Sequence, residues 1–162
     1  VTGTTIYKDP MVTVAEGTPD SWVVAYIGTV DSAFSTSTFE TINTSWYKVT
    51  KEDSHWKIDS APVGAAGQNG KPLTIQNGYY IYKNVVTKAG EDTNLPKLFE
   101  NLDVQIAEDR IPTGADQALT PLTVKAGLVQ YTTGVTDATQ LDDETTYELD
   151  VIMDAVANQI NK

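Results

Sequence analysis

The side chains that could do chemistry are few and poorly grouped. His55 is the single histidine, and cysteine is absent. Without cysteine there are no disulfides, zinc–thiolate sites or thiol nucleophiles. A zinc-protease helix of the H-E-x-x-H type needs two imidazoles on its metal, so one histidine excludes that class. A Ser-His-Asp triad would have to draw His55 from between Ser54 and Trp56, and no G-x-S-x-G turn is present to raise a serine. His55 therefore reads as a surface or cross-strand residue. Carboxylates stand side by side in Glu91-Asp92, Glu108-Asp109 and Asp142-Asp143-Glu144. Glycoside hydrolysis needs two of them facing across a cleft, about 5–10 Å apart, which adjacency in a turn does not supply. Paired acids are compatible with calcium, but no D-x-[DN]-x-[DN]-G loop supports it. Gly64-Ala65-Ala66-Gly67 lacks the Lys-Ser/Thr that grips a nucleotide. The expectation is a protein that is no enzyme and carries neither cofactor nor metal.

Charge narrows the partners. Twenty-two acidic residues against 11 basic ones give a net charge of −11 over 162 residues. A field of that sign repels phosphate backbones and anionic lipid, and no basic cluster offsets it. Nucleic acid is not an expected partner. No run of eighteen apolar residues is present, so no membrane-spanning helix is expected. No initiator Met precedes Val1, so the sequence reads as processed or trimmed, with any targeting signal already gone. The acidity then serves solubility outside the cell.

The elements that must position any site read as strands. At this length a chain buries roughly 70% of its unfolded surface, enough for one self-sufficient core. Turn signals recur at Lys8-Asp9-Pro10, Glu16-Gly17-Thr18-Pro19, Gly64 to Gly70, Asn77-Gly78, Ala89 to Asp92 and Pro112-Thr113-Gly114, with short β-prone runs between them. Over Ser21 to Val30, Trp22, Val24 and Tyr26 fall on one face and Val23, Ala25 and Ile27 on the other. Apolar residues on both faces predict a strand covered from two sides. Trp46 to Thr50 and His55 to Ile58 flank Lys51 to Ser54 as a hairpin. Leu73 to Ile75 and Tyr79 to Val86 flank Asn77-Gly78, a two-residue hairpin signal. Leu102, Val104 and Ile106 alternate with polar residues, and Leu122 to Val129 is a further strand with Pro121 at its edge.

The tail can be read two ways. Tyr147 to Val156 alternates passably as a strand. As a helix, Leu149, Ile152, Met153, Val156 and Ile160 form one stripe, with Glu148, Asp150 and Asp154 pointing away. We favour the helix, with Thr145 and Glu148 as a capping box and Asp142-Asp143-Glu144 as its acidic first turn.

Trp22, Trp46, Tyr47, Trp56, Tyr79, Tyr80 and Tyr82 could form a sugar-stacking platform, although aromatics at strand spacing more often pack a core. At the other terminus Thr4, Thr5, Ile6 and Tyr7 form a short β-prone segment, cut from Met11 to Val14 by Asp9-Pro10. Such a segment can pair with its own sheet or complete a neighbour's.

Several stretches in order resemble one family. These are Trp46-Tyr47-Lys48-Val49, then Gly78-Tyr79-Tyr80-Ile81-Tyr82-Lys83, then Val85 to Glu91, then Leu95 to Leu102, then Leu122 to Gln130. Their order and spacing, over roughly Val12 to Gln130, resemble the TasA/camelysin-type proteins of Gram-positive bacteria, exported with a SipW-dependent signal peptide. The segment after Gln130 does not match. The resemblance implies a jelly-roll-like antiparallel β-sandwich, secreted to the cell surface, that builds pilus-like biofilm-matrix fibres. It also implies a protruding N-terminal donor strand, Thr4 to Tyr7, which fills the sheet of the next subunit. Lys8, Asp9 and Pro10 would then be the hinge, and 11–162 a single sandwich domain. Camelysin carries a metalloprotease label within that family, and a lone His55 gives that activity no support.

The leading expectation is a structural subunit of an extracellular filament, a head-to-tail polymer of itself made by strand exchange. Two alternatives stand beside it: a monomeric secreted carbohydrate- or surface-binding module, and a phage tail or decoration protein.

Overall fold

Eight β-prone residues, Trp22–Thr29, form the strand around which the rest is laid down. In the computed structural model the described residues are 3–5, 12–29, 35–39, 41–42, 45–62, 73–74, 78–87, 90–96, 99–100, 103–106, 122–130 and 134–161. Among them the strands, in chain order, are β1 (Gly3–Thr5), β2 (Thr13–Val14), β3 (Trp22–Thr29), β4 (Ser35–Phe39), β5 (Thr41–Ile42), β6 (Trp46–Glu52), β7 (His55–Ile58), β8 (Leu73–Thr74), β9 (Gly78–Tyr82), β10 (Thr93–Asn94), β11 (Phe99–Glu100), β12 (Asp103–Ile106) and β13 (Leu122–Val129). A 3-10 turn (Ala138–Leu141) and the helix α1 (Glu148–Ile160) close the chain. The protein is mainly β, and every ladder among the described residues is antiparallel.

One sheet has the order β13-β3-β9-β6-β7 and another β1-β12-β4-β8, while β10-β2 and β11-β5 form short ladders. From β3 to β13 the chain alternates between the two larger sheets: β3 in the first, β4 in the second, β6–β7 back in the first, β8, β9, β12 and β13 likewise in turn. That winding is the connectivity of a two-sheet sandwich.

The alternation along β3 works out as expected. Val23, Ala25 and Ile27 join Val14, Trp46, Tyr80, Val86 and Leu95 on one face. Trp22 and Val24 join Val49, Trp56, Ile81 and Val129 on the other, under Leu141 and the apolar stripe of α1. Both faces are covered, one by the β2–β10 ladder and one by the helix. The stripe is the one read from the sequence: Leu149, Ile152, Met153, Val156 and Ile160 are all buried. Each such side chain contributes about 1.5–3 kcal/mol when removed from water, so tertiary packing holds α1 where its own capping does not.

Three expectations change. The first hairpin forms, but its loop is only Asp53-Ser54, both with positive φ (49° and 71°), so β6 runs on to Glu52. The second does not form. β8 pairs with β4, whereas β9 lies between β3 and β6. Tyr80 and Ile81 are buried on opposite faces of β9, and a strand with apolar residues on both sides belongs at a sheet centre. That demand outweighs the Asn77-Gly78 signal. Lastly, no capping box starts α1. Tyr147 occupies the N-cap in the left-handed region, and Thr145 Oγ1 donates to Asp143 Oδ1 at 2.6 Å instead. Asp142 to Glu144 precede the helix, whose first turn carries Glu148 and Asp150. Side chains of Leu102, Val104 and Ile106, and residue Pro121, lie outside what is described.

Candidate assembly interface at the sheet edges

A sheet edge offers unpaired N–H and C=O groups that can bind another strand. The two larger sheets have four such edges: β13 and β7 on one, β1 and β8 on the other.

β7 should be open. With a two-residue loop, Glu52↔His55 and Thr50↔Lys57 are the hydrogen-bonded pairs, so the N–H groups of Trp56 and Ile58 point outward. Both are nevertheless occupied. Trp56 N–H donates to Asp150 Oδ1 at 2.7 Å, and Ile58 N–H to Asp142 Oδ2 at 3.2 Å. His55 Nδ1–H donates to the second oxygen of Asp150 at 2.6 Å and stacks on Tyr147, with ring centroids 4.5 Å apart. Trp56 Nε1–H donates to Asp154 Oδ1 at 2.9 Å, and Lys57 Nζ lies 3.7 Å from Asp142 and 3.6 Å from Glu144. Asp150 and Asp154, expected to point away, thus turn onto the hairpin. Their i, i+4 spacing puts both on the flank beside Leu149 and Met153, within reach of the edge strand.

Burial works to raise the Asp150 pKa. Hydrogen bonds from His55 and the Trp56 N–H, and the charges of His55 and Lys51, outweigh it and hold the carboxyl below its ordinary value. The same pair accounts for His55: its Nδ1 is committed to an anchoring carboxylate, and no hydroxyl hydrogen-bonds its ring among the described residues.

On β13 different chemistry occupies one outward-facing backbone position, that of Leu128. Leu128 N–H donates to Gln159 Oε1 at 3.3 Å, and Gln159 Nε2–H donates to Leu128 C=O at 2.9 Å. Lys125 Nζ reaches the Ile160 carbonyl at 3.5 Å. Gly127 permits the approach, because a Cβ there would stand 3.0 Å from Gln159 Oε1 and 3.2 Å from Val156 Cγ1. The reading of the sequence missed Asp142, Asp150 and Gln159 as edge ligands. Only the flanking position of Asp150 and Gln159 beside the apolar stripe hinted at it.

On the four-stranded sheet the terminal strand is β1. Its three residues pair with β12 of the same chain, Gly3↔Gln105, Thr4↔Val104 and Thr5↔Asp103. Gly3–Thr5 therefore lies against β12 of its own chain and does not protrude. Of the expected donor residues, Thr4 and Thr5 are in β1. Ile6 and Tyr7 and the hinge Lys8, Asp9 and Pro10 lie outside the described residues.

Among the described residues no group of three or more His, Asp or Glu side chains is placed to hold a metal ion, and no helix is long and apolar enough to cross a membrane. Compared with known proteins, the chain matches no family model, no curated protein and no solved structure.

Proposed function

We propose that the protein is a structural subunit of an extracellular filament, polymerised by exchange of its N-terminal strand between copies. The observation that supports this reading is the position of β1, which among the described residues is an edge strand of the four-stranded sheet and pairs with β12 alone. The pairs β1 makes with β12 in one molecule can be remade, residue for residue, with β12 of the next. A head-to-tail contact of that kind does not close on itself and propagates as a fibre. The ordered motifs that resemble TasA/camelysin-type proteins support the same reading, as does an acidic, cysteine-free composition suited to the cell surface. Ile6 is the anchor that would enter the neighbour, with Lys8-Asp9-Pro10 leading back to the parent subunit.

A sugar-binding platform loses its main support, since Trp22, Trp46 and Trp56 are 0%, 1% and 8% exposed. The test is direct. The full chain is expected to form filaments in negative stain, and a chain lacking residues 1–9 to sediment as a monomer. Filaments from the shortened chain would overturn strand exchange.

A further inference from the structure

The helix α1 lies across one face of the five-stranded sheet, packing on β13, β3 and β7. Five strands are about 19 Å wide between outer strand axes, and thirteen helical residues are about 19 Å long. The helix therefore reaches both edges of the sheet, and it meets each with a side chain that mimics a strand. At β7, Asp150 takes the outward N–H of Trp56 and the preceding turn supplies Asp142 to Ile58. At β13, the Gln159 amide exchanges two hydrogen bonds with the Leu128 backbone, the pattern one residue of an added strand would make. Apolar packing of the stripe alone would ask for none of these.

We propose that α1 is the element that bars a second copy of this chain from adding a strand to the five-stranded sheet, and so confines strand exchange to the four-stranded one. The barrier stands on the hydrogen bonds above; the confinement rests on the strand-exchange reading. An incoming strand at β7 would have to displace two carboxylates, then leave Asp150 beside His55 without its backbone donor. At β13 it would have to break the Gln159 ring on Leu128. Both costs fall before any new ladder bond forms.

The test uses the full chain and its amide exchange, read residue by residue by NMR under conditions where it is dispersed. Gln159→Ala is expected to speed exchange at Leu128 about tenfold, and Asp142→Ala with Asp150→Ala to do the same at Trp56 and Ile58, with the central strands β3 and β9 unchanged. Since the chain has no cysteine, Lys57→Cys reports on contacts along β7. It should give disulfide-linked dimers on oxidation only when combined with the two aspartate substitutions. Unchanged exchange at Leu128 in Gln159→Ala, or no crosslink in a folded aspartate variant, overturns the proposal. If the double aspartate variant does not fold, Asp142→Ala alone, read at Ile58, and Gln159→Ala, read at Leu128, still decide it through exchange. Fibres from a chain lacking residues 1–9 would sink strand exchange but would leave these exchange rates, and the barrier they report, untouched.

Discussion

Gln159 and Leu128 form a closed ring of two hydrogen bonds, side-chain amide to backbone, 31 residues apart in the chain. The ring is what a neighbouring strand would offer Leu128, supplied by a helix. Its loss should be felt locally. Gln159→Ala is expected to lower unfolding free energy by about 1 kcal/mol, because two modest hydrogen bonds go at an exposed site. Urea denaturation followed by tryptophan emission measures this, and a change below about 0.3 kcal/mol would show the ring to be idle.

Asp150 serves the opposite edge and carries charge. Asp150→Ala removes the acceptor of the Trp56 N–H and the partner of His55. The expected cost at pH 7 is about 2–3 kcal/mol, larger than for Gln159 because hydrogen bonds to a charged acceptor are stronger. Asp150→Asn keeps one oxygen for Trp56 and should cost about half as much.

The acid limb of stability follows from the same carboxylate. Its folded pKa lies below its unfolded value, so the stabilisation is present above the unfolded pKa, ordinarily 3.8, and is lost as pH falls through the folded value. Asp143 behaves alike, its carboxyl lowered first by the Thr145 hydroxyl and then by the Thr145 N–H. Unfolding free energy should therefore decline as pH drops below about 4. The decline should be shallower in Asp150→Asn. An identical acid slope in that variant would remove Asp150 from the account.

The loop Asp53-Ser54 offers a gain. Both residues have positive φ in a two-residue hairpin, a conformation that costs an ordinary side chain about 1 kcal/mol and glycine little. Ser54→Gly should raise the midpoint of thermal unfolding by a few degrees, roughly 2–5 °C for a chain of this size. Calorimetry would show it, and a lower midpoint would mean the Ser54 hydroxyl matters.

Gly127 should not tolerate a side chain. A Cβ there meets Gln159 and Val156 at 3.0 and 3.2 Å, and Val156 is buried in the core under α1. Gly127→Val is expected to destabilise by about 2–3 kcal/mol through overpacking. Recovery in a Gly127→Val, Val156→Ala double variant would tie the effect to that contact.

Two features were readable before any coordinates. The two-faced alternation of β3 and the stripe from Leu149 to Ile160 are local periodicities, 2.0 and 3.6 residues, set by backbone geometry and visible in one window of chain. The first hairpin was readable too, because its turn and both strands are contiguous. The pairing of β8 with β4 instead of β9 was not, since a turn signal is worth less than burying both faces of β9, and burial is a property of the whole sheet. Nor were the edge ligands. Whether Asp150 meets water or the Trp56 N–H depends on where residues 94 positions apart are brought, and a sequence window cannot show which strand lies outermost. Periodicity decides which elements form; the order of strands decides which of their polar groups need a partner, and the fold answers with side chains from one helix.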